Sequence, residues 1–138
     1  MDKMDFIKQA MQQAVGITDE DFKTYMSFPR NQIMAEKTPE FMKYKIVAEV
    51  VSSKYCTAGC KKGQKYVFQA LPAVLSQKDS DCPVCARALA PLGVAIGEVW
   101  EEIGQGKINV PHTVECLDPG VEKGGLGHVV FKLFAQPR

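Results

Sequence analysis

Five cysteines constrain this chain more than any other feature, because they fall into two short pairs and a single residue. Cys56 and Cys60 are separated by three residues, Cys82 and Cys85 by two, and Cys116 follows alone. Two such pairs can converge on one metal ion or cluster if the fold brings them together. An odd number of cysteines in a reducing compartment favours metal or redox chemistry over structural disulfides.

The second pair is predicted to open a helix. Pro83 suits the first helical position, because its missing N–H would have no intrahelical partner there. This puts Cys82 at the N-cap and Cys85 at the third helical position, near free backbone N–H groups and the positive end of the helix dipole. A thiolate is stabilised there, and the thiolate is the form that ligates metals or attacks disulfides.

Composition divides the chain into two predicted domains, 1–42 and 43–138. All six methionines lie in the first and all five cysteines in the second. Apolar residues at three- and four-residue spacing predict helices in the first domain, with Gly16 ending one and Thr18 capping the next. A third short helix is predicted within 31–36. We expect this N-terminal helical extension either to cover a sheet or to bind a protein partner or a second copy of the chain.

The second domain begins with a predicted β-hairpin. Apolar residues alternate with others from Tyr44 onwards, which indicates a strand of about eight residues. A second strand is predicted at 66–68. Cys56 and Cys60 then lie at the tip of the hairpin, where nearby glycines allow backbone N–H groups to turn toward sulfur.

The remainder of this domain is predicted to contain one long helix and two strands. The helix that opens at Cys82 meets Pro91, which should kink or break it. Strands are predicted over 110–116 and 128–135. The expected fold is therefore α+β: an N-terminal helical extension followed by a small antiparallel sheet with one kinked helix packed across it.

Charge and hydropathy exclude several classes of function. A formal net charge of +1 gives no electrostatic case for binding nucleic acid or a membrane surface. The chain has no apolar run of the ~18 residues that a membrane span needs, and its first thirteen residues lack the apolar stretch of a signal peptide. We therefore expect a cytoplasmic protein. No catalytic motif stands out, so the sequence leaves open whether the protein is an enzyme.

The cysteine spacing indicates a metal site more strongly than it indicates which metal. Soft thiolates select zinc, copper(I) or iron–sulfur clusters, and both zinc and clusters commonly take about four cysteines. A third hypothesis is a thiol–disulfide oxidoreductase that uses Cys82 and Cys85, although the hairpin signals do not fit a glutaredoxin-like fold. His112 could add a ligand, while His128 offers less. Unliganded core cysteines are the plain alternative.

Residues 44–134 resemble a family of small uncharacterised proteins found mostly in anaerobic bacteria and archaea. The resemblance lies in three motifs: Cys-Thr-Ala-Gly-Cys-Lys-Lys-Gly at 56–63, Cys-Pro at 82–83 opening a helix, and Cys-Leu-Asp-Pro-Gly at 116–120 before a Val-Val-Phe strand. In the family, position 60 is often histidine and position 85 is often not cysteine.

The resemblance implies four metal ligands, with one cysteine left over. The implied ligands are Cys56, Cys60, Cys82 and Cys116, and Cys85 would be an extra thiol. The expected function is to carry an iron–sulfur cluster, such as a [4Fe–4S] cluster, for electron transfer or as an accessory subunit of a larger anaerobic redox enzyme. The alternative is a structural zinc module for protein interaction.

Overall fold

The structure, a computed structural model, describes residues 2–71 and 73–138. It divides the chain into two compact units, Met1–Pro39 and Glu40–Arg138. The domain boundary predicted after residue 42 lies close to this division, in the short connection between the last N-terminal helix and the first strand.

Unit Met1–Pro39 is helical, as the sequence predicts. Gly16 adopts a left-handed conformation with φ 69° and ends the first helix, and the Thr18 side chain accepts the Asp21 N–H at the start of the second. Both signals were local, which is why the sequence revealed them. The helices are α1 (Lys3–Val15), α2 (Asp19–Met26) and α3 (Pro29–Phe41), the last of which runs on into the second unit.

The third helix is longer than predicted. Pro29 opens α3 at a position where a missing N–H costs nothing. The helix continues through Pro39, although the sequence pattern predicted only a short helix within 31–36.

Unit Glu40–Arg138 contains a four-stranded antiparallel sheet with strand order β2-β1-β4-β3. A helix crosses the sheet and contacts β4, β3 and β1. This arrangement confirms the predicted α+β class. The strands are β1 (Tyr44–Lys54), β2 (Lys65–Gln69), β3 (His112–Glu115) and β4 (His128–Pro137).

The register of β1 against β4 shifts between Val50 and Ser52, and the pairing then continues to the end of β1. At that end, Lys54 lies opposite His128, the first residue of β4. The turn that carries Cys56 therefore begins beside the loop that leads into β4.

The crossing helix, α4 (Ala86–Gly104), begins later than predicted. Cys85 is its N-cap, so the prediction of Cys82 as N-cap and Pro83 as first helical residue is wrong. The cause is a non-local contact: the backbone N–H groups of Asp81 and Cys82 both donate to the Lys65 carbonyl, at 3.1 and 3.2 Å. This segment is thus held beside β2 and becomes helical only after Cys85.

Pro91 does not break α4, which continues through it to Gly104. A proline in this position leaves the carbonyl of the residue four places earlier, Arg87, without its helical donor. That carbonyl instead accepts the Leu117 N–H at 3.1 Å. Pro91 therefore leaves the Arg87 carbonyl available to accept the hydrogen bond from Leu117, which links the segment following β3 to the start of α4.

The core of this unit lies between α4 and the sheet. Tyr66 is the largest fully buried side chain, and its ring stacks on Phe131 with the ring centres 5.7 Å apart. The apolar face of α4 repeats at helical spacing and consists of Ala88, Leu92, Ile96, Val99 and Ile103.

Candidate metal centre

The first cysteine pair lies on a tight turn after β1. The Gly59 N–H donates to the Cys56 carbonyl at 3.1 Å, and Gly59 has a φ of 87° that favours glycine. Burial opposes ionisation of Cys56, but hydrogen bonds from the backbone N–H groups of Cys60, Ala58 and Gly59 outweigh it and lower the pKa of this thiol. The turn is therefore already arranged to stabilise a thiolate.

Cys60 lies deeper and has the opposite tendency. It is only 3% exposed, and its thiol lies near those of Cys56 and Cys82. Burial and the neighbouring Cys82 raise the pKa of Cys60 well above its ordinary value. Sulfurs packed this closely oppose each other's ionisation, and a bound cation would remove that penalty.

The second pair is split between two environments. Cys82 is 5% exposed and lies behind Cys60, next to the hydroxyl of Tyr66. Cys85 is partly exposed, and its carbonyl accepts the Ala88 and Leu89 N–H groups at the start of α4. Its thiol makes no capping hydrogen bond.

Cys116 follows β3 and is held by two hydrogen bonds to one residue of β4. Its N–H donates to the Val129 carbonyl at 2.9 Å, and the Val129 N–H donates to the Cys116 sulfur at 3.3 Å. The next residue, Leu117, exchanges hydrogen bonds with the backbone carbonyl and the guanidinium of Arg87. These contacts bring Cys116 to the start of α4, where Cys85 lies.

Asp118 organises the glycine-rich loop beside the cysteines, a role that the sequence analysis missed. Its carboxylate accepts the backbone N–H groups of Gly120, Leu126 and Gly127 at 3.0–3.1 Å, and these bonds lower the pKa of the carboxyl. An aspartate followed by Pro-Gly and a later glycine run is a signal for such a side-chain-capped loop.

Gly127 allows this loop to pack directly on the cysteine turn. A Cβ at this position would lie 2.6 Å from the Tyr55 carbonyl oxygen and 3.0 Å from the Cys56 Cα. Tyr55 itself has a positive φ of 55°, which is uncommon for a non-glycine residue. The backbone before the first cysteine pair is thus closely packed against Gly127.

Together these elements place four cysteines around one pocket of about 60 Å³. Cys82 does not line this pocket, but its thiol lies near that of Cys60. All five predicted site residues therefore lie in one neighbourhood. The cysteines that line the pocket are Cys56, Cys60, Cys85 and Cys116.

The two histidines have other partners. His112 Nε2 lies 2.8 Å from a Glu102 carboxylate oxygen. His128 Nδ1 lies 2.7 Å from the Asp118 carbonyl, and this contact together with that to Glu115 raises the pKa of the imidazole. Neither histidine lines the cysteine pocket.

The chemistry of this site suits a soft metal, because cysteine sulfurs, N–H···S hydrogen bonding and a solvent-accessible pocket occur together. Within residues 2–71 and 73–138, no group of three or more His, Cys, Asp or Glu side chains is already in position to hold a single metal ion. A metal would therefore have to draw the sulfurs inward or span the space between them.

No family model, curated protein or solved structure matches this chain. In the part of the chain that the structure describes, no helix combines the length and apolar character needed to cross a membrane.

Proposed function

We propose that unit Glu40–Arg138 binds a metal through its cysteine thiolates, and that the metal is an iron–sulfur cluster. The observation that carries the proposal is the convergence of all five cysteines, from three separated stretches of chain, on one pocket and the space directly behind it. Five unrelated core cysteines have no reason to meet in this way.

The size of the pocket supports a cluster over a single ion. Tetrahedral zinc with Zn–S bonds of ~2.3 Å holds its four sulfurs about 3.8 Å apart and leaves no space between them. Here a pocket of about 60 Å³ already separates the cysteines that line it. A cluster would occupy such a space, with Cys56, Cys60 and Cys116 as ligands from its walls and Cys82 as a ligand from beside Cys60.

The proposed ligands are Cys56, Cys60, Cys82 and Cys116, the set that the family resemblance implies. The Cys60 thiol lies near those of Cys56 and Cys82, and Cys116 lines the pocket together with Cys56 and Cys60. Cys85, on the pocket wall, is the residue that could replace Cys82 as the fourth ligand.

The surroundings of the sulfurs suit electron transfer in the cytoplasm of an anaerobe. Cluster potentials depend on net charge, solvent exposure and hydrogen bonds to sulfur. The N–H groups that point at Cys56 and Cys116 would stabilise added negative charge. Lys61 and Lys62 are exposed in the cysteine turn and offset that charge further.

Anaerobic purification followed by iron, zinc and acid-labile sulfide analysis tests the proposal. The expected product is a brown protein that contains iron and sulfide. A colourless protein with one zinc per chain would favour the structural zinc module instead. A protein without metal, in which Cys82 and Cys85 form a reversible disulfide, would favour the oxidoreductase and contradict the proposal.

The N-terminal unit is proposed to bind a protein partner or a second copy of the chain. Four large apolar side chains in this unit are more than half exposed, which supports a docking role over a purely internal one. Deletion of residues 1–39 should leave metal content unchanged and weaken association, as measured by analytical ultracentrifugation. An insoluble, metal-free truncated protein would contradict this. The exposed side chains are Phe6, Val15, Phe28 and Ile33.

A further inference from the structure

The hydroxyl group of Tyr66 lies between the Cys60 sulfur and the carbonyl of Pro83. It donates a hydrogen bond to the Pro83 carbonyl at 2.5 Å and lies 3.8 Å from the Cys60 sulfur. The Cys82 thiol lies near the same hydroxyl. Because the Tyr66 side chain is fully buried and stacked on Phe131, the hydroxyl has no access to bulk water.

The Tyr66 hydroxyl has two alternative acceptors, and which one it uses depends on whether Cys60 is protonated. Tyr66 has one proton to donate. While Cys60 is a thiol, it supplies its own proton and can donate to the Pro83 carbonyl, 3.7 Å from its sulfur, or to the phenol oxygen. A thiolate has no proton and can only accept. Metal binding displaces that proton to solvent, so a buried Cys60 sulfur then needs a donor.

We propose that Tyr66 is a positioning residue of the metal centre, whose hydroxyl donates to the Pro83 carbonyl in the metal-free protein and to the Cys60 thiolate once metal is bound. This inference rests on the proposed function, because it requires Cys60 to become a ligand. It holds whether Cys82 or Cys85 is the fourth ligand, since Cys60 belongs to both sets.

The consequence is that one buried hydroxyl supports metal binding without touching the metal. Hydrogen bonds to ligand atoms orient the ligands and tune the site, and their loss typically costs about 10–100-fold in metal affinity. Tyr66→Phe keeps the aromatic ring and its stacking on Phe131 but removes the donor. Tyr44→Phe, at the far end of β1, is the matched control because it removes a tyrosine hydroxyl from the same unit.

The test compares wild type, Tyr66→Phe and Tyr44→Phe after anaerobic loading with iron(II) and sulfide or, in parallel, with zinc alone. We expect Tyr66→Phe to release its metal to a chelator at about tenfold lower chelator concentration than wild type. Tyr44→Phe should match wild type. Melting of the metal-free proteins shows whether Tyr66→Phe is folded before loading.

Tyrosine labelled with ¹³C at Cζ supplies a readout that a purely structural role would not move. The Tyr66 signal, assigned by its absence in Tyr66→Phe, should shift when wild type takes up zinc, which is diamagnetic, because the hydroxyl changes its acceptor. An unmoved signal together with equal metal retention in Tyr66→Phe would overturn the inference and leave the proposed function standing. A wild type that takes up neither iron nor zinc would overturn both.

Discussion

Cys56 and Cys60 lie on one tight turn, whereas Cys82 and Cys85, one residue closer in sequence, occupy different environments. In the first pair, N–H groups converge on Cys56. In the second pair, Cys82 is buried behind Cys60, and Cys85 caps a helix at the pocket wall.

The difference shows that the spacing of a cysteine pair does not determine its geometry. A glycine with positive φ folds the first pair into a turn that presents its sulfurs together. The second pair is pulled apart by Lys65, whose carbonyl holds the Asp81–Cys82 backbone against β2 while α4 begins at Ala86. The two motifs therefore have different roles. Cys56 and Cys60 lie on a turn whose backbone N–H groups lower the pKa of Cys56, whereas Cys82 and Cys85 connect the segment beside β2 to helix α4.

Removing the metal should disturb this arrangement most, because the metal would bridge the two pairs. Binding energy at a site that is absent from the unfolded chain becomes folding energy. A loss of about 3 kcal/mol would lower the melting temperature by roughly 10–25 °C. Calorimetry of loaded and chelator-treated protein measures the change, and identical melting of the two forms would contradict the prediction.

Gly127→Ala should damage the first pair selectively. The added Cβ would press on the Tyr55 carbonyl and the Cys56 backbone, neither of which can move aside easily. We expect a loss of about 2–3 kcal/mol in the free energy of unfolding, together with reduced metal content, measured by urea denaturation and metal analysis.

Gly93→Ala is the matched control for this substitution. Gly93 is an exposed residue in α4 whose added Cβ would meet nothing within 4 Å. The same change should therefore raise stability there by about 0.5–1 kcal/mol. Equal effects at the two glycines would show that close packing on the Cys56 turn does not matter.

Thiol reactivity in the metal-free protein should separate the members of the first pair. The pKa of Cys56 is lowered by backbone N–H groups, whereas that of Cys60 is raised by burial. Near pH 7, iodoacetamide should modify Cys56 more than about tenfold faster, since one pKa unit changes the thiolate fraction roughly tenfold. Peptide mass spectrometry measures both rates, and faster labelling of Cys60 would be the contrary result.

Asp118 gives the smallest expected effect and a specific pH dependence. Hydrogen bonds from Gly120, Leu126 and Gly127 lower its pKa in the folded state, so its contribution to stability is present above the ordinary value of 3.8 and is lost as pH falls below it. Asp118→Asn should be less stable than wild type at pH 7, and the difference should shrink below about pH 4. A difference that stays constant in acid would exclude this source of stability.

Sequence reasoning succeeded where the signals were local. Gly16 and Thr18 bounded their helices correctly, and the alternating pattern from Tyr44 predicted the first strand. It failed where the cause was distant in sequence. The start of α4 depends on Lys65, and the continuity of α4 at Pro91 accompanies a contact with Leu117.

The candidate site was predictable in its residues and not in its geometry. Spacing identified the five cysteines, but it could not show that Cys85 would line the pocket while Cys82 lay behind Cys60. Nor did the glycine-rich loop reveal that Asp118 and Gly127 hold it against the cysteine turn. The Gly127 contact joins the loop between β3 and β4 to the turn between β1 and β2, which are distant in the sequence.

Metal content measured on the five single Cys→Ser variants tests the central claim most directly. A serine hydroxyl is a poor substitute for a thiolate toward soft metals, so loss of a ligand should abolish binding. The account predicts that Cys85→Ser keeps its metal while the other four variants lose it: Cys56→Ser, Cys60→Ser, Cys82→Ser and Cys116→Ser. Loss of metal from Cys85→Ser with retention in Cys116→Ser would contradict the account, because it would assign the site to the two short pairs alone.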